Sequence, residues 1–395
     1  MKTIVFLGSN KSGTSRDALK AAKELGYYVV LITDRKKLLT QKSEFPEVDK
    51  MIYKENMFDA IGDIKKLIKK GKDIVACVSF IDPYVSLASK WQAELGLFEL
   101  SSEALFLLED KTRFRQALSD LPSSPFYKVY SGNEKLETTD RPLIIKPSAS
   151  NGSKDVVLVN TYDELQRTLK SYRNKYPVLI EEYLQGPQYL VEVVVHKGKL
   201  HIIAIIQQEI SNGDRFIVTG YQYPAVLEEV DKDNLTKEVT GIIERINLEN
   251  GSCHLEMRLV DGSWKLIEIN PRMSGGAMNR IILEGTGINV VKEIIQMNIG
   301  EKPNFKKSFN HAVYAKFLTI QSRGRLVKVT GRNRASRHKG VKEVYVKPKK
   351  GTVMTKPLSL GNRYAYVLAT GKTPEEAKDI AVNAAKEIRF VIETL

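Results

Sequence analysis

Two runs of alternating residues, HLEMRLV and WKLIEIN, are separated by Asp261-Gly262-Ser263 and make residues 252–271 a β-hairpin. The register of that hairpin decides which side chains share a face. If those three residues form the loop, Val260 faces Trp264, Glu256 lies opposite Glu268, and His254 lies opposite Asn270. A two-residue loop would send the two glutamates to opposite faces, because side chains alternate with period two. The three-residue register therefore gathers Glu256, Glu268 and Asn270 on one face. Directly opposed residues hold their Cβ atoms about 4.5–5.5 Å apart, and two carboxylates at that distance repel unless a cation lies between them. Mg²⁺ demands oxygen ligands and usually takes one or two carboxylates plus substrate phosphates. Two carboxylates and a carboxamide thus suit a pair of such ions. Pro271 ends the strand and Arg272 follows as a fixed positive group. The plain alternative is a surface hairpin with solvated acids.

At 395 residues, with 42% hydrophobic and 27% charged content, the chain reads as soluble and globular, with room for two or three domains. The apolar run in MKTIVFLG stops at Ser9-Asn10-Lys11, too soon for a secretory signal. No stretch approaches the roughly 18 apolar residues that span a bilayer. Cys77 and Cys253 are too few for a disulfide framework or a zinc site. A cytoplasmic protein with no membrane partner is expected.

The net charge of +14 is concentrated at one end, with 21 Lys/Arg against 6 Asp/Glu in residues 302–395. Eleven of those basic residues fall between Arg323 and Lys350, against the single acid Glu343. Such a block fits either a solvated hairpin face or a surface that attracts an acidic partner or anionic substrate. Aromatic residues are sparse there and no nucleic-acid motif is present, so nucleic acid is not expected as a partner.

The N-terminal part has another texture. TIVFL, YYVVLITD and DIVACVSF read as buried strands, and Arg16–Lys23 as a helix between the first two, which implies a parallel sheet with helices. The connection Gly8-Ser9-Asn10-Lys11-Ser12-Gly13-Thr14-Ser15 nearly copies a phosphate-binding loop, but Thr14 stands where the required lysine belongs. It is a decoy for a triphosphate, though its helix N-terminus can still hold an anion. Further on, SSEALFLLEDKTRFRQALSDL reads as one helical stretch that ends at Leu121-Pro122.

The middle of the chain is strand-rich. PLIIKP places Lys146 at the end of an apolar strand, before the small-residue loop Ser148-Ala149-Ser150-Asn151-Gly152-Ser153 and the strand DVVLV. Small residues let backbone N–H groups approach phosphate oxygens, and the lysine adds charge. Next, PVLIEEYLQGPQYLVEVVV carries an apolar strand into Glu181, Glu182, Tyr183 and Leu184, then breaks at Gly186-Pro187. A strand that stops there leaves backbone groups free to read an adenine edge. Either segment alone is also an ordinary hairpin.

Taken in order, EDK at Lys111, IIKP at Lys146, the small-residue loop, IEEYLQG, LEMRL at Glu256 and IEINPR resemble the ATP-grasp superfamily over nearly the whole chain. The resemblance implies an α/β plus α+β architecture. A parallel-sheet domain would cover residues 1–100, an ATP-grasp domain 101–305 with a mobile lid at about 122–184, and a basic α+β subdomain 306–395. It also implies a reaction in which ATP, with Mg²⁺ or Mn²⁺, phosphorylates a carboxylate, and an amine or thiol attacks the acyl phosphate. Residue by residue, it implies phosphate contacts for Lys111, Lys146 and the loop residues Ser150, Asn151, Gly152 and Ser153. Glu181 and Tyr183 would contact the adenine, with Glu182 and Leu184 also in the ATP site; Glu256, Glu268 and Asn270 would hold metal; Arg272 would meet the acyl phosphate.

Within the superfamily, Arg272-Met273-Ser274-Gly275-Gly276, the stretch GRLVKVTG, a basic hairpin and a final helix opened by Gly371–Ala377 resemble the L-amino-acid ligases that form dipeptides. Gln188 stands where the family usually has an acid for ribose, so Glu192 is expected to share or replace that role. Tyr221 stands where related ligases often carry histidine. It joins His254, Ser274, Gly275 and Gly276 as a candidate substrate contact. Besides a small-molecule carboxylate and amine, the alternatives are an acidic acyl carrier protein whose thiol accepts the acyl group, a purine-pathway substrate, or a catalytically silent nucleotide-binding module. A homodimer is the default assembly.

Overall fold

The buried-strand runs at the N-terminus pair as expected. Lys50–Tyr53, Tyr28–Thr33, Lys2–Leu7 and Asp73–Val78 lie in that order in a four-stranded parallel sheet. Ile4 and Phe6 enter the core on one face, Val5 and Leu7 the core on the other. This two-sided burial is why the run is continuously apolar, and each such side chain contributes about 1.5–3 kcal/mol. The computed structural model describes residues 1–132, 134, 136, 141–148, 152, 154–211 and 215–395.

The stretch read as one helix is two, Ser102–Leu108 and Lys111–Ala117. Asp110 breaks it: its carboxylate accepts from the backbone nitrogens of Thr112 and Arg113, at 2.8 and 3.0 Å, and so caps the second helix. Glu109, in the same corner, accepts from the nitrogens of Val85 and Ser86, at 3.1 and 3.0 Å, and secures the start of helix Val85–Glu94. The two acids that looked like a helix interior are therefore a pair of caps. They leave Lys111 as the first residue of its helix.

Strands Tyr127–Tyr130, Val178–Glu182, Leu143–Pro147 and Val157–Val159 form a separate antiparallel sheet, packed with helix Tyr162–Ser171 around its own core of Leu143, Ile145, Leu165, Leu169 and Ile180. The largest element is an eight-stranded antiparallel sheet in the order Ser263–Asn270, Gly251–Val260, Gln188–His196, Lys199–Ile210, Val218–Tyr223, Ala312–Leu318, Ala365–Gly371, Val341–Val346. It joins the middle of the chain to the C-terminal part. The final helix, Pro374–Ala385, is capped by the Thr373 hydroxyl and packs on this sheet.

One expectation for the basic tail fails. Gly324–Thr330 and Val341–Val346 are not a hairpin: the first pairs with Val353–Met354 and Arg389–Thr394, the second belongs to the eight-stranded sheet. Gly331 turns the chain away at φ +82°, where a Cβ would come within 1.8 Å of the Glu387 carbonyl oxygen. Cys77 and Cys253 are free and buried, and burial pushes both thiols above their ordinary range. Among the described residues no helix is long and apolar enough to cross a membrane.

Candidate active site

The hairpin keeps the expected Glu256–Glu268 and His254–Asn270 pairs by an unexpected route, while the expected three-residue loop and Val260–Trp264 pair are not found. Its loop has two residues, Asp261 and Gly262, both left-handed at φ 47° and 75°, so that Val260 pairs with Ser263 and Leu259 with Trp264. Continued regularly, this register would separate the glutamates. A β-bulge at Ile267 restores them: Met257 pairs with Leu266, then Glu256 with Glu268 and His254 with Asn270. The bulge also frees the Ile267 carbonyl, which accepts from Arg115 Nη2 at 2.8 Å and from Lys146 Nζ at 3.2 Å.

Burial and the nearby Glu268 charge push the Glu256 carboxyl up to about 7. Glu268 goes the other way: against its burial, Lys111 and then Lys146 hold it below the ordinary carboxylate range, with Lys111 Nζ 3.1 Å from its oxygen. Behind this pair, Glu181 bonds to Arg115 at 2.7 Å and to Lys146 at 2.6 Å. Arg115 is fully buried and its Nη1 has no partner among the described residues. Two buried cations therefore share one carboxylate, and burial lowers Lys146. The cluster has spare positive charge beside a pair of acids that repel each other. Anionic oxygens and a divalent cation would relieve both.

Among the described residues no three His, Cys, Asp or Glu side chains form a metal cage. Two carboxylates and a carboxamide fit Mg²⁺, which keeps positions for water and phosphate oxygens. His254 supports the third of these groups. Its Nδ1 donates to the Arg272 carbonyl at 2.7 Å, which leaves Nε2 to accept from Asn270 Nδ2 at 3.3 Å and fixes which way the carboxamide faces. Burial, then Arg272, lowers the imidazole to about 4, so it is neutral at working pH. His254 is thus buried beside Asn270 and also lines the cleft.

The other expected residues fall into place around this floor. Glu182 accepts from the Phe126 nitrogen at 2.8 Å, and Tyr183 packs on Phe216 with ring centroids 5.9 Å apart. The Leu184 carbonyl is held by Arg258, whose Nε donates to Gln188 at 3.1 Å. Gln188 in turn donates to Gln208 at 2.6 Å and to Glu256 at 3.2 Å. Glu192 lies four residues further along the strand, about 13 Å away, under the 272–276 turn. It accepts from the Ser274 nitrogen at 3.0 Å, and burial pushes its carboxyl up to about 8. Its place under that turn leaves it apart from the Gln188 end of the strand, where a ribose contact was expected. Of the small-residue loop, Gly152 meets the Leu360 nitrogen through its carbonyl at 3.1 Å, while Ser150, Asn151 and Ser153 lie outside the described residues.

The turn after the hairpin is held by the N-terminal domain. Arg272 pairs with Asp82 through Nε at 2.9 Å and through Nη2, and Thr14 Oγ1 donates to the Ser274 carbonyl at 2.5 Å. A Cβ on Gly13 would come within 2.9 Å of the Gly276 nitrogen, so the decoy loop packs directly on this turn. Gly275 and Gly276 stay exposed. Tyr221 is buried with its ring edge-on to Phe317, and its hydroxyl accepts from Arg363 at 3.3 Å. The cleft enclosed by these groups holds about 1160 Å³, room for more than one small molecule.

Residues 139–280 match the family model of the ATP-grasp domain, and residues 316–393 that of the L-amino acid ligase C-terminal domain 2, together more than half of the chain. The chain thus carries an ATP-grasp domain. The structure of the L-amino acid ligase from Bacillus licheniformis superposes with a TM-score of 0.86 at 21% identity, covering 100% of this chain and 99% of that one. An uncharacterized protein, y4rH, of Sinorhizobium fredii is 23% identical over 99% of this chain and 84% of its own length. The carbamoyl phosphate synthase large chain of Clostridium acetobutylicum is 26% identical over 71% of this chain, which spans only 27% of that protein.

Four residues in or behind this cleft escaped the sequence reading: Asp82 and Arg363, which line it, and Arg115 and Arg258, buried behind it. Two of them had a signal. Arg115 follows Lys111 by one helical turn, and Arg258 follows Glu256 by one strand period. Asp82 and Arg363 come from loops that only the tertiary fold brings to the cleft.

Proposed function

We propose that this chain is an ATP- and Mg²⁺-dependent ligase that activates the carboxylate of an amino acid as an acyl phosphate and transfers the acyl group to an amine, forming an amide. The observation that carries this reading is one cleft with two charge arrangements. The Glu256–Glu268 pair, wedged by Lys111 and Lys146, adjoins the Arg272–Asp82 pair. The first arrangement suits a metal-bound triphosphate, the second a carboxylate that receives the phosphoryl group.

In this reading Lys111 and Lys146 neutralise phosphate oxygens, and the 181–184 segment borders the base. Glu256, Glu268 and Asn270 hold Mg²⁺, which when bound supplies positive charge at the transferring phosphoryl oxygens. Arg272, oriented by Asp82, keeps the acyl phosphate in place. The γ-phosphoryl passes to the carboxylate oxygen as ADP leaves. The amine nitrogen then bonds to the acyl carbon as phosphate departs. Positioning and electrostatic stabilisation supply the acceleration, without a covalent enzyme intermediate. For a carrier-protein acceptor the basic segment offers less support, since Arg334 pairs with Glu387 and Lys349 with Glu44 within the chain.

Glu268→Gln tests the reading. The variant should lose ADP release that depends on amino acids supplied singly or in pairs, while still binding a nucleotide. Unchanged amino-acid-dependent ADP release would overturn the metal assignment.

A further inference from the structure

The edge of a β-sheet presents backbone donors and acceptors that a further strand can fill. Among the described residues four edge strands have six residues or more: Ser263–Asn270, Asp73–Val78, Val341–Val346 and Arg389–Thr394. The first is met by the Ser123 carbonyl, which accepts from the Leu266 nitrogen at 2.7 Å. On the second, Gln92 Oε1 accepts from the Cys77 nitrogen at 2.9 Å. The third lines the cleft with Glu343 and Tyr345. Arg389–Thr394 pairs with Gly324–Thr330 on one side, and no described strand pairs with its other side.

The side chains of this strand alternate. Phe390 and Ile392 pack on the core of Ile320, Leu326, Met354 and Tyr364, whereas Arg389, Val391 and Glu393 are exposed. The two charges stand two positions either side of Val391, and among the described residues neither forms an ion pair. Glu393 lies opposite Arg325 in the ladder, yet Arg325 donates to the Gly351 carbonyl at 3.4 Å. Glu387, the acid nearest Arg389 in sequence, is held by Arg334 at 2.7 Å.

This spacing is self-complementary. When two copies are set antiparallel about a two-fold axis at Val391, each Arg389 falls opposite the other copy's Glu393, Val391 meets its own counterpart, and Phe390 falls opposite Ile392. Directly opposed residues share a face, so the apolar rows continue on one side and the charged rows on the other. With the axis one residue earlier or later, Arg389 meets Val391 or Leu395 instead, and the charges go unmatched. An edge protected by charges of one sign repels a second copy. Opposite charges placed symmetrically attract it.

We propose that Arg389–Thr394 is a docking edge for a second copy of this chain, which extends the three-stranded sheet to six strands and closes two Arg389–Glu393 pairs across the axis. The inference is independent of the ligase reading. The joint is one short strand wide, so reversible association in the micromolar range is expected rather than a permanent dimer.

Sedimentation velocity on the full chain, from about 1 to about 300 µM, tests this. Arg389→Glu or Glu393→Arg alone sets like charges against each other at both ends of the joint and should weaken self-association by about 10- to 100-fold. Val391→Lys, which sets two cations at the axis, should do the same. A mixture of the two single charge reversals places opposite charges at both ends again and should associate about as tightly as the native chain, as should the double variant R389E/E393R. All these positions are exposed, and an unchanged Tm checks that each variant is folded. A native chain that stays monomeric throughout, or single variants that associate like the native chain, would overturn the proposal. So would weakened single variants whose mixture stays monomeric, because the charges would then not face each other.

Discussion

Replacing Glu192 with glutamine should make the protein progressively more stable than the native chain as pH rises. Glu192 is 2% exposed, and burial lifts its carboxyl from 4.5 to about 8. The native state therefore keeps a proton that the unfolded chain releases once pH passes 4.5. Because the folded form binds more protons over that interval, native stability falls by about 1.4 kcal/mol per pH unit until pH reaches the folded value, and is flat beyond it. Integrated between pH 5 and pH 8, the loss is about 3 kcal/mol. Glutamine keeps an oxygen for the Ser274 nitrogen and has nothing to ionise, so the variant escapes that loss. Its extra N–H donors carry their own cost, about 1–3 kcal/mol if unpaired, but that cost does not change with pH. The measurable quantity is thus the difference between the two proteins at pH 8 minus the difference at pH 5, from urea unfolding at constant ionic strength. A gain near 3 kcal/mol supports a buried, neutral Glu192 beneath the 272–276 turn. Parallel pH curves would refute it, because they would mean that Glu192 titrates alike in both states.

Two further outcomes follow from the floor of the cleft. His254→Ala releases the Asn270 carboxamide, so the KM for Mg²⁺ should rise by about 10- to 100-fold, while the KM for the amine acceptor stays near its native value; equal rises in both would point to general damage. Because His254 is held at about 4, the same profile in Mg²⁺ should show no histidine titration between pH 5 and 8. Arg115→Met leaves Glu181 paired with Lys146 but removes the Arg115 bonds to Glu181 and to the Ile267 carbonyl, which at about 1.5–3 kcal/mol per charged hydrogen bond should cost about 3–5 kcal/mol in urea unfolding. A change under 1 kcal/mol would show that the cluster relaxes or takes in water.

The outline of the fold was legible because its elements announce themselves locally. Continuous apolar runs at residues 3–7 and 29–32 required two covered faces and hence a parallel sheet between helices. What escaped detection was placed by contacts distant in sequence. Asp82 and Arg363 are 190 and 142 positions from their partners Arg272 and Tyr221, and no local pattern marks either. Even the local errors have a physical cause. Glu109-Asp110 reads as helix by composition, yet a carboxylate beside free N–H groups is worth more as a cap than within a helix.

The hairpin shows how a right grouping can come from a wrong loop. The demand that Glu256 meet Glu268 can be met by a three-residue turn or by a tight turn plus a bulge, and alternation alone does not separate the two. The tight turn follows from Asp261-Gly262, which both accept left-handed backbone. The bulge then has a use that a longer turn lacks, since it presents the Ile267 carbonyl to Arg115 and Lys146. The residue that corrects the register is also the one that braces the two cations behind the carboxylates, which ties the geometry of the metal face to that of the phosphate side.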